Sequence, residues 1–104
     1  MLEKFKNMGK ALKDAQNMKG MMEKVQKELE ATVIPVSELN GKIKIEITGE
    51  LRVNKFVIDP SLLSPDQKKT LEKAVRDAFS KGIKEAKDLA TTKLQSVTGG
   101  LFGG

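Results

Sequence analysis

Residues 56–67 read FVIDPSLLSPDQ and mark the point where strand-like sequence gives way to helical sequence. Pro60 disfavours helical geometry at Asp59, so the hydrophobic run before it is expected to end as a strand. Ser64 and Gln67 then predict a helix start, with Ser64 as the N-cap and Gln67 completing a capping box. The local sequence places no histidine, metal-ligand cluster or second carboxylate beside Asp59. This side chain is therefore expected to accept turn hydrogen bonds instead of acting as a catalytic acid.

Three strands are predicted before this point. Residues 31–36 are rich in β-branched side chains, but Pro35 cannot donate to a ladder, so this strand is expected at a sheet edge. An Asn-Gly pair favours the next turn. Residues 42–48 then alternate, with isoleucines on one face and polar side chains on the other. Residues 51–58 form the third strand, where the alternation changes phase and a bulge near residues 54–55 would restore it.

Two long helices flank the strands. The first is predicted from residue 2 to about residue 30, with an apolar seam of coiled-coil-like spacing at Phe5, Met8, Leu12, Ala15, Met18, Met22, Val25 and Leu29. The second is predicted from Pro65 to about Val97, and residues 99–104 read as a flexible, glycine-rich tail. The pattern predicts one α+β domain over residues 1–98, ordered α-β-β-β-α, with a three-stranded antiparallel sheet.

The lengths of these elements predict self-association. Helices of this size span about 43 and 50 Å, whereas a strand of eight residues spans about 26 Å. The helices should therefore extend past the sheet and leave apolar surface uncovered. The seam of the first helix could pack on its own domain or on a second copy of the chain. A second copy is the simplest partner for so long a seam, so a homodimer is expected.

The composition narrows the class of function. The 104 residues include no cysteine and no histidine, which excludes disulfides and thiolate chemistry and removes the usual side chain for proton transfer near neutral pH. No enzymatic activity, cofactor, metal or small-molecule substrate is expected. No apolar run is long enough to span a membrane, so we expect a cytoplasmic protein without a membrane partner. The net charge of +5 favours a polyanionic partner.

Lysine supplies nearly all of the positive charge, since only two of the nineteen basic residues are arginine. Lysine acts as a hydrated point charge, which favours contacts with phosphates over reading of base edges. A helical wheel places basic residues opposite the apolar face of each helix. A row of basic residues on a helix is often only its solvent-exposed side and not a binding surface. The candidates for DNA contact, chosen from the wheel, are Lys6, Lys10 and Lys13 in the first helix and Lys84 and Lys87 in the last.

Three stretches resemble the YbaB/EbfC family of bacterial nucleoid-associated proteins. Residues 11–31 (ALKDAQNMKGMMEKVQKELEA) resemble its first helix, and residues 41–64 (GKIKIEITGELRVNKFVIDPSLLS) resemble its second and third strands with an IDPSLL signature. Residues 71–87 (LEKAVRDAFSKGIKEAK) resemble the start of its last helix. The resemblance implies a homodimer shaped like tweezers that binds duplex DNA in the nucleoid, influences chromosome organisation and transcription, and has no enzymatic activity.

Other interpretations of the sequence remain open. A dimeric helical adaptor could accept a partner helix on a methionine-rich surface formed by Met18, Met21 and Met22, although methionine more often fills gaps in a core. An enzyme would need a pair of carboxylates with perturbed pKa values in a cleft. Membrane-surface binding is less favoured, because the basic faces carry no bulky aromatic anchors.

Overall fold

The structure is a computed structural model that describes the backbone of residues 2–102 and the side chains of residues 8–97. The elements follow the predicted order of helix, three strands and helix. In chain order they are α1 (Leu2–Ala31), β1 (Val33–Glu38), β2 (Ile43–Thr48), β3 (Val53–Ile58), two short 3₁₀ turns (Pro60–Leu62 and Pro65–Gln67) and α2 (Lys68–Phe102). Neither helix contains, within the described residues, an apolar stretch long enough to cross a membrane.

The three strands form one antiparallel sheet in the order β1-β2-β3. Pro35 lies on β1, an edge strand, which confirms the prediction made from its missing N–H. The register between β2 and β3 shifts, because Glu46 pairs with Lys55 while Ile47 pairs with Val53. Asn54 is therefore the extra residue of a bulge, as the change of phase predicted. The shift returns the apolar side chains of β3 to the face that carries the isoleucines of β2.

The core lies between this sheet face and α2. The β2 isoleucines Ile43, Ile45 and Ile47 are at most 2% exposed. They pack with a row of small residues spaced four apart along α2, namely Ala74, Ala78, Gly82 and Ala86. A Cβ at Gly82 would lie 2.5 Å from Cδ1 of Ile47 and 3.3 Å from Cγ2 of Val36. The small residues therefore allow the backbone of α2 to lie close to β1 and β2.

A close backbone contact joins α1 to the end of β2. The N–H of Gly49 donates to the carbonyl oxygens of Leu29 (2.9 Å) and Thr32 (3.1 Å). A Cβ at Gly49 would lie 2.8 Å from the Leu29 carbonyl oxygen and 3.0 Å from its Cα. In the turn that follows, Leu51 is the residue with a left-handed backbone, at φ 68°. Gly49 is thus required for this close approach and not for the conformation of the turn.

The molecule is elongated, with principal extents of 77 × 19 × 17 Å and a radius of gyration of 21.1 Å. A compact domain of this length has a radius of gyration of about 13 Å. The prediction that the helices extend past the sheet is confirmed. Among the side chains that the structure describes, those of the C-terminal half of α1 pack against α2, where Val25 is buried, while Met8 and Leu12 are more than 60% exposed.

Two details at the ends of α2 differ from expectation. The prediction of a capping box is wrong, because the Ser64 side chain makes no capping hydrogen bond. The 3₁₀ turn Pro65–Gln67 precedes the first residue of α2. α2 also continues to Phe102, past the end expected near Val97. Gly99 and Gly100 do not end α2, since a glycine inside a helix costs only about 1 kcal/mol. The flexible tail proposed for residues 99–104 lies outside the described side chains and stays a prediction.

Candidate nucleic-acid interface

The N-terminal half of α1 forms an arm that projects from the rest of the molecule. We define the arm as residues 2–17 and the body as the sheet, α2 and the remainder of α1. Every described side chain of the arm, from Met8 to Asn17, is exposed. Within the part of the chain whose side chains are described, burial in α1 begins at Met18, which is half-buried, and is complete only at Val25. The described side chains of the arm therefore contribute nothing to the core and are accessible from solvent.

An ion pair holds the two helices together where the arm meets the body. Nζ of Lys93 lies 2.9 Å from Oε2 of Glu28, and both side chains are partly shielded from solvent. The hydrogen bond and the charge of Lys93 hold the pKa of the Glu28 carboxyl below its ordinary value. Since Met21, Val25 and Glu28 of α1 line one groove with Lys93 and Val97 of α2, the two helices run antiparallel at this junction. This geometry points the start of α1 away from the sheet.

Two of the predicted arm lysines can be placed. Lys10 and Lys13 are exposed, and no carboxylate among the described side chains lies within 4.0 Å of either ammonium group. An ammonium group with no carboxylate beside it is available to pair with a phosphate. The side chain of Lys6 lies outside the described residues.

The two predicted lysines of the last helix lie in a different part of the molecule. Lys84 and Lys87 are exposed on the half of α2 that covers the sheet. Counting residues from the Glu28–Lys93 pair at 1.5 Å each puts them roughly 30–40 Å from Lys10 and Lys13 along the long axis. Lys84 also lies 3.8 Å from Asp88, in an exposed pair that contributes little. A single chain therefore does not gather the predicted lysines that can be placed into one patch.

Sequence reasoning missed the exposed inner face of β3. Phe56 and Val53 lie on the core face of the sheet, yet they are 43% and 46% exposed. Phe56 stacks on Phe79 of α2 with a ring separation of 5.9 Å and is otherwise uncovered on one side. The strand pattern shows that these residues share a face with the isoleucines. It does not show that α2 covers β1 and β2 and leaves part of β3 open.

Asp59 has the structural role that the sequence predicted. Its Oδ1 accepts a hydrogen bond of 2.9 Å from the N–H of Ser61 and caps the first 3₁₀ turn. Hydrogen bonding from Ser61 holds the pKa of the Asp59 carboxyl below its ordinary value, which keeps it an acceptor. Among the described residues, no three acidic side chains cluster in a way that could hold a metal ion.

The fold and its lysine-rich helices define a small, basic α+β protein suited to binding a polyanion. The family model described as the YbaB/EbfC DNA-binding family matches residues 4–101, and the chain belongs to this family. A nucleoid-associated protein of Ruminiclostridium cellulolyticum is 35% identical over 97 residues, which cover 93% of this chain and 84% of the relative. A nucleoid-associated protein of Chloroflexus aurantiacus is 32% identical over 97 residues, covering 93% of this chain and 97% of the relative.

A solved structure supports the fold independently. The crystal structure of an uncharacterized protein from Helicobacter pylori superposes with a TM-score of 0.79, covering 91% of this chain and 97% of that one. The two sequences are 19% identical, so this likeness concerns the fold alone. The element order and the family predicted from the sequence are thus both confirmed.

Proposed function

We propose that two copies of this chain form a homodimer that binds duplex DNA in the nucleoid of the cell, through contacts between arm lysines and phosphates. The dimer would influence chromosome organisation and transcription, as the resemblance to nucleoid-associated proteins implies. The proposal involves no enzymatic step, no cofactor and no small-molecule substrate. Membership of a DNA-binding family supports the partner, and the names of the relatives support the location.

The observation that carries the proposal is a pair of exposed lysines on the arm that have no carboxylate within 4.0 Å among the described side chains. Lys10 and Lys13 lie one helical turn apart, so they can contact neighbouring phosphates of one strand. Lys6 falls one turn further along the same predicted row. Each phosphate that is neutralised releases condensed counterions, which supplies affinity without reading the sequence of the DNA. Few arginines and no tryptophan or tyrosine are present, so weak sequence preference is expected.

Uncovered apolar side chains support the homodimer. Met8, Leu12 and Met22 of the predicted seam are 62%, 64% and 42% exposed, and only the far end of the seam packs on the body. The open face of β3 adds Val53 and Phe56. A second copy that covered these side chains would gain roughly 25 cal/mol for each Å² of apolar surface removed from water. Two arms would then present lysines from both protomers to one duplex.

Two measurements on the intact chain test this proposal. Sedimentation equilibrium is expected to give twice the 11.4 kDa mass of the chain. Fluorescence anisotropy with a labelled duplex is expected to show tight binding near 50 mM salt. The slope of log K against log salt is expected near −5, for six phosphate contacts made by Lys6, Lys10 and Lys13 of both protomers. Monomers, or binding that does not change with salt, would contradict the proposal. A dimer without affinity for duplex DNA would instead favour the adaptor interpretation.

A further inference from the structure

One edge of β3 pairs with no other strand among the residues that the structure describes. The N–H of Asp59 donates to the carbonyl oxygen of Lys42 at 2.8 Å, so the backbone groups of every second residue back from Asp59 point toward β2. The backbone groups of the residues between them, Phe56 and Ile58, therefore point toward the open edge. Each of these residues offers one N–H donor and one carbonyl acceptor to another strand.

The opposite edge of the sheet, on β1, is blocked. The backbone groups of Lys42 point toward β3, and by the same alternation those of Glu46 do too. Pro35 lies opposite Glu46, so its ring nitrogen is on the side of β1 that faces away from β2. A proline there has no N–H to donate and protects the edge against another strand. The sheet is thus open to extension at β3 and closed at β1.

The side chains of β3 are uncovered on both faces of the sheet. Every residue of the strand from Val53 to Val57 is exposed. Phe56 on the core face and Val57 on the outer face are 43% and 42% exposed. A partner that packed on one face alone would leave the apolar side chain of the other face in water. A strand added at the open edge lies beside both side chains, so edge pairing accounts for both exposures.

We propose that β3 of one copy pairs antiparallel with β3 of a second copy, which joins the two three-stranded sheets into one continuous sheet. This inference rests on the proposed function, because it names the surface through which the proposed homodimer forms. Pairing of the same edge from both copies is isologous, so the assembly closes at two chains and leaves β3 with no free edge. The second strand also lies beside the side of Phe56 that its own chain leaves uncovered.

The sequence of β3 favours a register centred on Val57. Phe56 then lies opposite Ile58 of the second copy, and Lys55 lies opposite its Asp59. Aromatic–aliphatic pairs and opposite charges directly across a ladder are both stabilising. A register centred on Phe56 would place Lys55 opposite Val57, and one centred on Lys55 would place two ammonium groups opposite each other. An exposed ion pair contributes little, so the charges select the register while backbone and apolar contacts supply the affinity.

Disulfide formation between single introduced cysteines tests the pairing, since the chain has no cysteine of its own. Val57→Cys places two thiols across the twofold axis, in a pair whose Cα atoms lie about 4.5 Å apart and within reach of a disulfide. With dissolved oxygen as the oxidant and copper phenanthroline as the catalyst, this variant is expected to form covalent dimers about tenfold faster or more than Val33→Cys. Val33 is the matched control, because it is 46% exposed on the same outer face but lies on β1, at the opposite edge.

Sedimentation equilibrium of charged variants gives a second, independent result. Val57→Lys puts two like charges at the axis and should raise the dimer Kd about tenfold or more, whereas Val33→Lys should leave it within about twofold of wild type. Circular dichroism checks that both variants keep the fold.

The possible results separate the inference from the proposed function. If the wild type is a dimer and Val57→Cys forms covalent dimers no faster than Val33→Cys, the inference is overturned and the proposed function stands. Equal Kd values for Val57→Lys and Val33→Lys, with both variants folded, would also overturn it. A wild type that stays monomeric would overturn both.

Discussion

The body and the arm both carry large apolar side chains but use them in opposite ways. In the body, Ile43, Ile45 and Ile47 are at most 2% exposed and pack under the small residues of α2. In the arm, Met8 and Leu12 are more than 60% exposed. The arm is therefore held by the continuity of α1 and by its junction with the body. Stability and binding should be separable by mutation, because the two properties reside in different parts of the chain.

The largest expected difference between the two regions concerns the truncation of one large apolar side chain. Ile45→Ala should lower the free energy of unfolding by about 2–5 kcal/mol, because it opens a cavity in a core where Ile45 is 1% exposed. Leu12→Ala, in the arm, should change it by less than about 0.5 kcal/mol at concentrations where the chain is monomeric. Urea denaturation of both variants and the wild type measures the change in the free energy of unfolding. Equal losses would mean that the arm belongs to the folding core.

A pair of glycine substitutions should shift stability in opposite directions. Gly49→Ala should destabilise the fold by about 1–3 kcal/mol, because the new methyl group meets the backbone of Leu29, which cannot rotate away. Gly20→Ala has open space around it within 4 Å and should stabilise α1 by up to about 1 kcal/mol. Thermal melts followed by circular dichroism give both signs. A stabilising Gly49→Ala would contradict the close contact between α1 and β2.

The smallest expected effect lies at the junction of arm and body. The folded pKa of Glu28 is lowered below the ordinary value of 4.5, so the stabilisation that it provides is present above that pH and is lost as the pH falls through the folded pKa. Lys93→Gln should raise the pKa of Glu28 back toward 4.5, as measured by NMR titration of the carboxyl carbon. The pKa of Asp59 serves as the internal control, because its shift arises from Ser61. If the pKa of Glu28 is the same in the variant and the wild type, the ion pair between Glu28 and Lys93 does not form in solution.

Local sequence signals predicted the sheet well because they act on backbone geometry. Pro35 lacks an N–H and lies on an edge strand, and the change of alternation in residues 51–58 corresponds to the bulge at Asn54. Asp59 has no partner for acid catalysis in the local sequence and caps a turn. Each of these effects depends on a few neighbouring residues. It can therefore be predicted from the sequence without knowing which elements pack together.

Tertiary placement was harder to predict, because it depends on which surfaces meet. The wheel showed one apolar seam along α1, but α2 covers only the end of it that includes Val25. The small residues around Gly82 bring α2 over β1 and β2, which leaves Phe56 half open. The lysines chosen from two separate wheels lie far apart for the same reason. A wheel gives the direction of a side chain from its own helix and no distance to another helix.

The salt dependence of DNA binding by an arm variant tests the central claim most directly. Lys6→Gln, Lys10→Gln and Lys13→Gln together should weaken binding to a single duplex and flatten the slope of log K against log salt by up to about 5, with the dimer intact. A control variant with Lys44→Gln, Lys55→Gln and Arg52→Gln removes the same charge and should keep the wild-type slope within about 1. If both variants keep the wild-type slope, or both lose it equally, the arm is not the primary DNA-binding surface.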